Sequence, residues 1–270
     1  MLKEQLLELW KKLRFPRRLK VLLRPWPRIR RLINTWPRLI LLFVLAFVFL
    51  YYPLGALISE DIDTNTDYEI AKDGHRSATI DTMTFLIKRE VYNKSWTPAL
   101  PFIFPAYMLD NMPAFQLGIM EPIGHTAKVL AAKMDKSIAE DGKSPLHSAA
   151  ELLQYPGTIW MFSPSNKLIP APSSNSQYRR ARKQLQNYNH MLADGQAIFE
   201  ATPQNLFHIL KAVKADLQKT SNRLESHIRE NSSSWLDTKA DDVFYYQQGN
   251  IYAYFLLLKA LSFDFKDAIL

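Results

Sequence analysis

The sequence predicts an all-α protein: one N-terminal transmembrane helix, then a helical-bundle domain with a long antiparallel helical hairpin. Three observations predict this class. The twenty residues 39–58 include no charged side chain, which is typical of a membrane span. Apolar residues recur three or four apart between 178 and 228, as in a heptad seam. No segment alternates apolar and polar residues in the manner of a half-buried strand.

Positive charge is concentrated at the N-terminus. Residues 1–38 contain twelve Lys or Arg and two Glu, whereas the rest of the chain contains 22 basic and 24 acidic residues. The net charge of +8 therefore belongs to a basic stub, residues 1–38, whose apolar spacing before Pro16 predicts an amphipathic helix. Basic amphipathic segments bind anionic lipid. The predicted lipid-contacting residues are Lys11, Lys12, Arg14, Arg17, Arg18, Arg28, Arg30 and Arg31.

Two alternatives remain for this stub. In the first, the stub serves only as a topology signal. In the second, its basic residues and tryptophans bind nucleic acid. No nucleic-acid recognition fold fits into so few residues, so we expect no nucleic-acid partner.

The span itself is predicted over Leu39–Ile58. Trp36 on the near side and Tyr51 and Tyr52 toward the far side are expected to lie at the membrane interfaces. Because Lys and Arg are retained in the cytoplasm, the N-terminus should be cytoplasmic and the C-terminal domain periplasmic, in a single-pass inner-membrane protein. A cleaved signal peptide and a buried core helix are the weaker alternatives, since the basic head and the apolar run are both too long for a signal peptide.

Residues 59–76 are polar and predict a linker. Its segment Asp61–Asn65 resembles the opening of a calcium loop. That motif requires Gly at its sixth position and Glu at its twelfth, where this chain has Thr66 and Lys72. A solvated acidic linker is therefore the better interpretation.

The first half of the domain, residues 77–270, predicts helices separated by proline-rich turns. The first of these helices is predicted over residues 77–92. The second is predicted after Asp110 and is interrupted at Pro113 and Pro122. Asp110 or Asn111 is a suitable cap for it. Ser144 or Pro145 begins a short helix through 155, and residues 156–174 predict a loop.

The second half predicts the hairpin. Its first seam, with Gly195 in the gap, is Tyr178, Ala181, Leu185, Tyr188, Leu192 and Phe199. Thr202 and Pro203 then begin a second helix, whose seam is Leu206, Leu210, Val213, Leu217, Leu224 and Ile228. The last helix is predicted over 241–263, and its apolar centre is too short to span a membrane. The chain stops on apolar residues at Leu270, which leaves a trimmed terminus and a partner-bound tail as alternatives.

Few residues predict chemistry. With no Cys among 270 residues, thiolate sites and a Cys nucleophile are excluded. No two of the six His are four apart, and we expect neither a metal site nor a cofactor nor a catalytic residue. A candidate groove is predicted from Asp110, Phe115, Glu121 and His125, which lie in or beside a segment, 98–122, rich in Pro, aromatic residues and Met. Burial of that segment in the core is the favoured alternative.

Two segments resemble a known family. They are PAYMLDNMPAFQLG, starting at Pro105, and DDVFYY, starting at Asp241 and followed by LLLKA. Both are similar to proteobacterial inner-membrane proteins grouped as domain of unknown function 2333, with the similarity running from about residue 40 to the end. The resemblance implies Gram-negative origin and the topology above, and it implies no activity.

These observations favour a scaffold or interaction module of the cell envelope. The expected partners are a bilayer containing anionic lipid and an envelope protein, with a homo-oligomer as an alternative. A cell-wall or lipid enzyme that uses a carboxylate or His, and a lipid-binding module, are the other two hypotheses.

Overall fold

The computed structural model describes residues 27–59, 61–68, 76–136, 143–162, 170–231 and 239–269. The chain divides into two compact units, Met1–Pro53 and Leu54–Leu270. Within the described residues every regular element is helical, and the only strand-like pairings are two isolated bridges, Asp135–Phe199 and Phe162–Pro170. The prediction of an all-α chain is confirmed.

The first helix, α1, runs over Pro27–Ser59. Its segment Trp36–Gly55 is long and apolar enough to cross a membrane, and within the described residues no other helix passes that test. Its apolar side chains between Leu39 and Leu50 are exposed to solvent rather than packed into a core. A helix with apolar residues on every side is stable only inside a protein or a membrane.

The predicted linker includes a described segment, 61–68, which we call the strap. It has no regular secondary structure. Most of its side chains are exposed, but its backbone is held by the domain: the Lys94 ammonium donates to the Asp61 carbonyl, and the Tyr252 hydroxyl donates to the Asn65 carbonyl at 2.6 Å. The ring of Tyr68 stacks on Phe85 with 3.9 Å between centroids. The strap therefore forms part of the domain surface.

Helix α2 covers Ala78–Lys88 and continues into a π-helical turn, Arg89–Asn93. A 3₁₀ turn at Pro105–Met108 precedes α3, Asn111–Lys133. The predicted interruptions at Pro113 and Pro122 are wrong, because α3 is continuous. Pro113 lies in the first turn, where a backbone N–H has no helical partner to lose. Pro122 removes one hydrogen bond, a cost offset by burial of most of the helix.

Helix α4 covers Pro145–Leu153 with Ser144 as its N-cap, and α5 covers Ser174–Ala193. The prediction that the α5 seam continues through Gly195 to Phe199 is wrong. Gly195 has φ +70°, a left-handed conformation that ends helices. Phe199 lies beyond this turn, and its ring packs against Phe265 at 6.4 Å.

Helix α6 covers Pro203–Asn231, α7 covers Ala240–Asp264, and a short α8 covers Lys266–Ile269. The predicted start of α6 at Pro203 and the predicted extent of α7 agree with the structure. The predicted hairpin of α5 with α6 remains unconfirmed: α5 packs mainly on α2 and α4, while α6 packs on α3 and α7.

The centre of the domain is the pair α3 and α7, which share the most extensive helix–helix contact. Two glycines allow the approach. A Cβ added to Gly118 would fall 2.1 Å from the Tyr246 carbonyl oxygen, and one added to Gly249 would fall 2.3 Å from the Phe115 carbonyl oxygen. The two backbones therefore touch directly at this crossing, and α6 covers one side of the pair.

The first and last long helices of the domain are joined by a carboxylate. Asp264, at the end of α7, accepts from the Ser77 hydroxyl at 2.7 Å and from the backbone N–H groups of Ala78 at 2.7 Å and Thr79 at 3.0 Å. Those N–H groups lie in the first turn of α2 and have no partner within the helix. Asp264 thus caps a helix that begins 186 residues earlier.

Candidate functional site

A cleft of about 1150 Å³ opens between α3, α6 and α7. The start of α3 supplies an apolar floor, whereas α6 supplies polar and basic groups. Residues that define its walls include Pro113, Ala114, Leu117, Lys219, Arg223, Val243 and Tyr246. An apolar floor with a few polar groups is the usual make-up of a binding site.

The mouth of the cleft is acidic. Asp110 caps α3 by accepting from the Asn111 N–H at 2.9 Å, and both Asp110 and Asp242 line the cleft. Burial raises the pKa of Asp242, and the neighbouring charges of Asp110 and Asp241 raise that pKa further. Like charges that share a site disfavour ionisation of each carboxyl group.

Glu121 lies beside the cleft, in contact with three residues that line it. Its carboxylate accepts from the Tyr246 hydroxyl at 2.5 Å and from the Asn250 amide at 3.3 Å. The Lys219 ammonium and the Arg223 guanidinium approach it at 3.6 and 3.7 Å. Burial raises the pKa of Tyr246, and the hydrogen bond to Glu121 adds to this effect, so the hydroxyl stays a donor.

A second polar group lies one turn further along α3, at His125. His125 Nδ1 lies 2.8 Å from an Asp216 carboxylate oxygen, which also accepts from the Tyr254 hydroxyl at 2.6 Å. Burial is again the main cause that raises the pKa of Tyr254, followed by its hydrogen bond to Asp216. We call the two groups together the polar seam, defined by Glu121, His125, Asp216, Tyr246, Asn250 and Tyr254.

The polar seam has a simple structural basis. Residues four apart share one face of a helix, and the seam uses Glu121 and His125 of α3 together with Tyr246, Asn250 and Tyr254 of α7. Such a row of satisfied hydrogen bonds aligns three helices. Among the described residues no group of three His, Cys, Asp or Glu side chains is arranged to hold a metal ion.

The structure separates the four predicted groove residues. Asp110 lines the large cleft, whereas Glu121 and His125 line a smaller cavity of about 330 Å³ between α3, α4 and α7. Phe115 is fully buried, with its ring 6.2 Å from that of Tyr252, and belongs to the hydrophobic core. The prediction that Phe115 lines a groove is therefore wrong, because its position on α3 turns the ring toward α7.

Sequence reasoning missed the partners of Glu121 and His125. They come from α6 and α7, between 91 and 129 residues away along the chain. One signal was present: Tyr246, Asn250 and Tyr254 place polar groups four residues apart along one face of α7. Buried polar residues at one helical spacing indicate partners on a neighbouring helix.

The residues predicted at the membrane are described only in part. Trp36 and Tyr51 are 60% and 36% exposed, and Tyr51 stacks on Phe47 at 5.2 Å. The side chains of Tyr52, Arg28, Arg30 and Arg31 lie outside what the structure describes, as do Lys11, Lys12, Arg14, Arg17 and Arg18 altogether.

The outer faces of α6 and α7 leave apolar residues uncovered. We call this surface the apolar stripe, and on α6 it consists of the exposed side chains of Phe207, Leu210, Leu224 and Ile228 together with Leu217, which is partly buried against the core. Ile228 is 60% exposed, and Ile251 and Phe255 of α7 are about half exposed. A shallow groove of about 380 Å³, lined by Leu210, Leu217 and Leu258, runs between the two helices. Large exposed apolar patches commonly mark interaction surfaces.

Comparison with known families gives one match. Residues 84–235, more than half of the chain, match the model of a family described as an uncharacterized protein conserved in bacteria, DUF2333. No curated protein matches the chain, and no solved structure matches it either. The matched segment contains α3 and α6, and it excludes α1 and α7.

Proposed function

The chain belongs to the bacterial family DUF2333, and from this premise we propose that it is a membrane-anchored interaction module of the cell envelope. The single observation that carries this proposal is the apolar stripe, which the fold leaves uncovered on α6 and α7. In the proposal α1 holds the module in the inner membrane, and the stripe docks a helix.

The anchoring part rests on α1 and on charge. Twelve basic residues precede position 39, and an acidic run begins at Glu60. The positive-inside rule places the basic end in the cytoplasm. The domain then lies in the periplasm of a Gram-negative cell.

A pair of reporter fusions tests this topology. Alkaline phosphatase is active only in the periplasm, whereas green fluorescent protein exported in unfolded form does not fluoresce there. Fusions after Leu270 should give phosphatase activity without fluorescence. The opposite pattern would place the domain in the cytoplasm and end this part of the proposal.

The spacing within the apolar stripe favours a second copy of this chain as the docked partner. Leu210 and Leu224 lie seven residues before and after Leu217, while Phe207 and Ile228 lie ten before and eleven after it. This near-symmetry means that two copies of α6 can pack antiparallel about Leu217, with each apolar residue opposite another. A twofold interface requires such self-complementarity.

Cross-linking tests the pairing directly, because the chain contains no Cys. In the full chain in detergent, Leu217→Cys should form a disulfide between two copies under mild oxidation, since position 217 lies on the proposed twofold axis. Leu210→Cys is the matched control. In an antiparallel pair its two thiols lie about 21 Å apart, from a rise of about 1.5 Å per residue, and cannot bond to each other.

The oligomeric state gives the second measurement. Light scattering after size exclusion should show a dimer that Leu224→Lys converts to a monomer, whereas Ile198→Lys, at an exposed residue outside the stripe, should leave it intact. A monomeric parent protein that also fails to cross-link at 217 rules out the second copy as the docked partner.

One observation favours a second candidate, an enzyme that uses acid–base chemistry. His125 is oriented by Asp216 at 2.8 Å and lines a cavity beside Glu121. An oriented imidazole is a suitable general base. Asp216→Asn keeps the shape of the site while changing its charge, and it should abolish complementation of a deletion strain if this chemistry is used. Normal complementation by both Asp216→Asn and His125→Gln would eliminate this candidate.

A further inference from the structure

A turn on the domain surface presents apolar side chains to solvent. Phe102, Ile103, Phe104 and Tyr107 are 68%, 52%, 39% and 55% exposed. We call residues 101–107 the apolar turn. Its sequence, PFIFPAY, contains no charged residue.

The apolar turn has a defined backbone. The Phe104 N–H donates to the Pro101 carbonyl at 3.0 Å, and the Tyr107 N–H donates to the Phe104 carbonyl at 3.0 Å. Ala106 is buried and fixes the turn to the domain. The aromatic rings are therefore displayed by an ordered backbone, which lowers the entropy lost when they are buried against another surface.

Two contacts within the second compact unit place this turn beside the end of α1. The Gly55 backbone approaches Pro105 so closely that an added Cβ would fall 2.3 Å from the proline Cβ. The Asp61 carbonyl, two residues beyond the last residue of α1, accepts from Lys94, which lies in the segment leading to the turn. Gly55 is also the last residue of the segment that is apolar enough to span a membrane.

We propose that the apolar turn inserts into the outer interfacial layer of the same bilayer that α1 crosses. The proposal rests on the membrane anchoring proposed above. The end of a spanning helix lies at the level of the lipid headgroups, and a turn in contact with Gly55 lies at that level too. Aromatic side chains are favoured in this layer because one part of the ring contacts hydrocarbon while a polar edge or hydroxyl remains hydrated.

The chemistry of the turn fits lipid as the occupant. Its two prolines, three aromatic residues and one Ile, without a charge, match the apolar face of segments that lie in the interface. Tyr107 adds a hydroxyl of the kind that the headgroup region accommodates.

The absence of Cys allows one labelled position at a time. Ile103→Cys places an environment-sensitive fluorophore on the turn, Val44→Cys places it within α1, and Ile198→Cys places it on an exposed loop of the domain. Each full-length variant is reconstituted into phosphatidylethanolamine–phosphatidylglycerol vesicles, with and without lipid that carries a nitroxide quencher near the headgroup or deep in the acyl chain.

The expected result is loss of emission at 103 with the shallow quencher, loss at 44 with the deep quencher, and no loss at 198. If position 44 is quenched and 103 behaves as 198 does, the inference fails while the anchoring stands. If neither 44 nor 103 is quenched, the anchoring fails and the inference fails with it. A blue-shifted but unquenched label at 103 means that protein covers the turn, and this also overturns the inference.

Discussion

The crossing of α3 and α7 makes a sharp prediction about two glycines. Gly118→Ala places a methyl carbon 2.1 Å from the Tyr246 carbonyl oxygen, and Gly249→Ala places one 2.3 Å from the Phe115 carbonyl oxygen. Comfortable carbon–oxygen contacts begin near 3.3 Å. Because both obstacles are backbone atoms, no side-chain rotation relieves the clash, and the helices must move apart by about 1 Å.

The expected cost follows from this displacement. A gap of about 1 Å forfeits a large part of the dispersion attraction across an interface. Because both obstacles are backbone atoms, the cost of overpacking should lie at or above the upper end of the usual range of about 1–3 kcal/mol. Ala is favoured over Gly in a helix by about 1 kcal/mol. We therefore expect each substitution to lower the free energy of unfolding by about 2–4 kcal/mol. Both substitutions act on one crossing, so the double variant should lose less than the sum.

Thermal unfolding of the full chain in detergent, followed by circular dichroism, measures this loss. Each kcal/mol corresponds to roughly 2–4 °C for a domain of this size, so a decrease of Tm by roughly 5–15 °C is expected. Gly124→Ala is the matched control, because it lies on the same helix and its added Cβ approaches no atom closer than 3.2 Å. If Gly118→Ala is as stable as Gly124→Ala, the two backbones do not meet as described and the reasoning is refuted.

Three further predictions concern buried polar groups. Because the pKa of Tyr254 is raised, the folded state keeps a proton that the unfolded chain loses near pH 10. The free energy of unfolding should therefore be at its full value below pH 10 and decline above it. In alkaline denaturation, Tyr254→Phe should be less stable at pH 7 but show a shallower decline between pH 10 and 12. Asp264→Ala removes three hydrogen bonds to the start of α2 and should lower the free energy of unfolding in urea by about 3 kcal/mol. The control, Asp241→Ala, should lower it by less than about 1 kcal/mol. Equal losses would contradict the cap. Arg89→Met leaves the fully buried Glu90 carboxylate without its 2.6 Å partner and should cost about 3–5 kcal/mol, a loss that a second change, Glu90→Gln, should partly reverse.

Local signals in the sequence located most helix starts. Ser77, Ser144 and Pro203 mark the beginnings of α2, α4 and α6 because caps and N-terminal prolines act through their immediate neighbours. The same rules failed where tertiary packing decided the outcome. Pro122 was expected to break α3, but burial on several sides keeps that helix continuous.

The candidate site was only partly predictable. Asp110 and Glu121 were selected because acidic side chains stand out in an apolar segment, and both line cavities in the structure. Their neighbours on α6 and α7 depend on which helix faces become adjacent, and a seam of apolar residues does not specify its partner. The same ambiguity explains why the apolar residues of α6 predicted a hairpin, whereas the structure packs that helix on α3 and α7.

The cap that Asp264 provides has a consequence for biosynthesis. The N–H groups of Ala78 and Thr79 leave the ribosome long before their acceptor, 186 and 185 residues later, has been made. The nascent domain therefore cannot mature from its leading end while it is being synthesised. Its opening helix must wait as an incomplete intermediate, and ribosome-stalled chains that end before residue 264 should remain sensitive to protease until translation supplies that carboxylate.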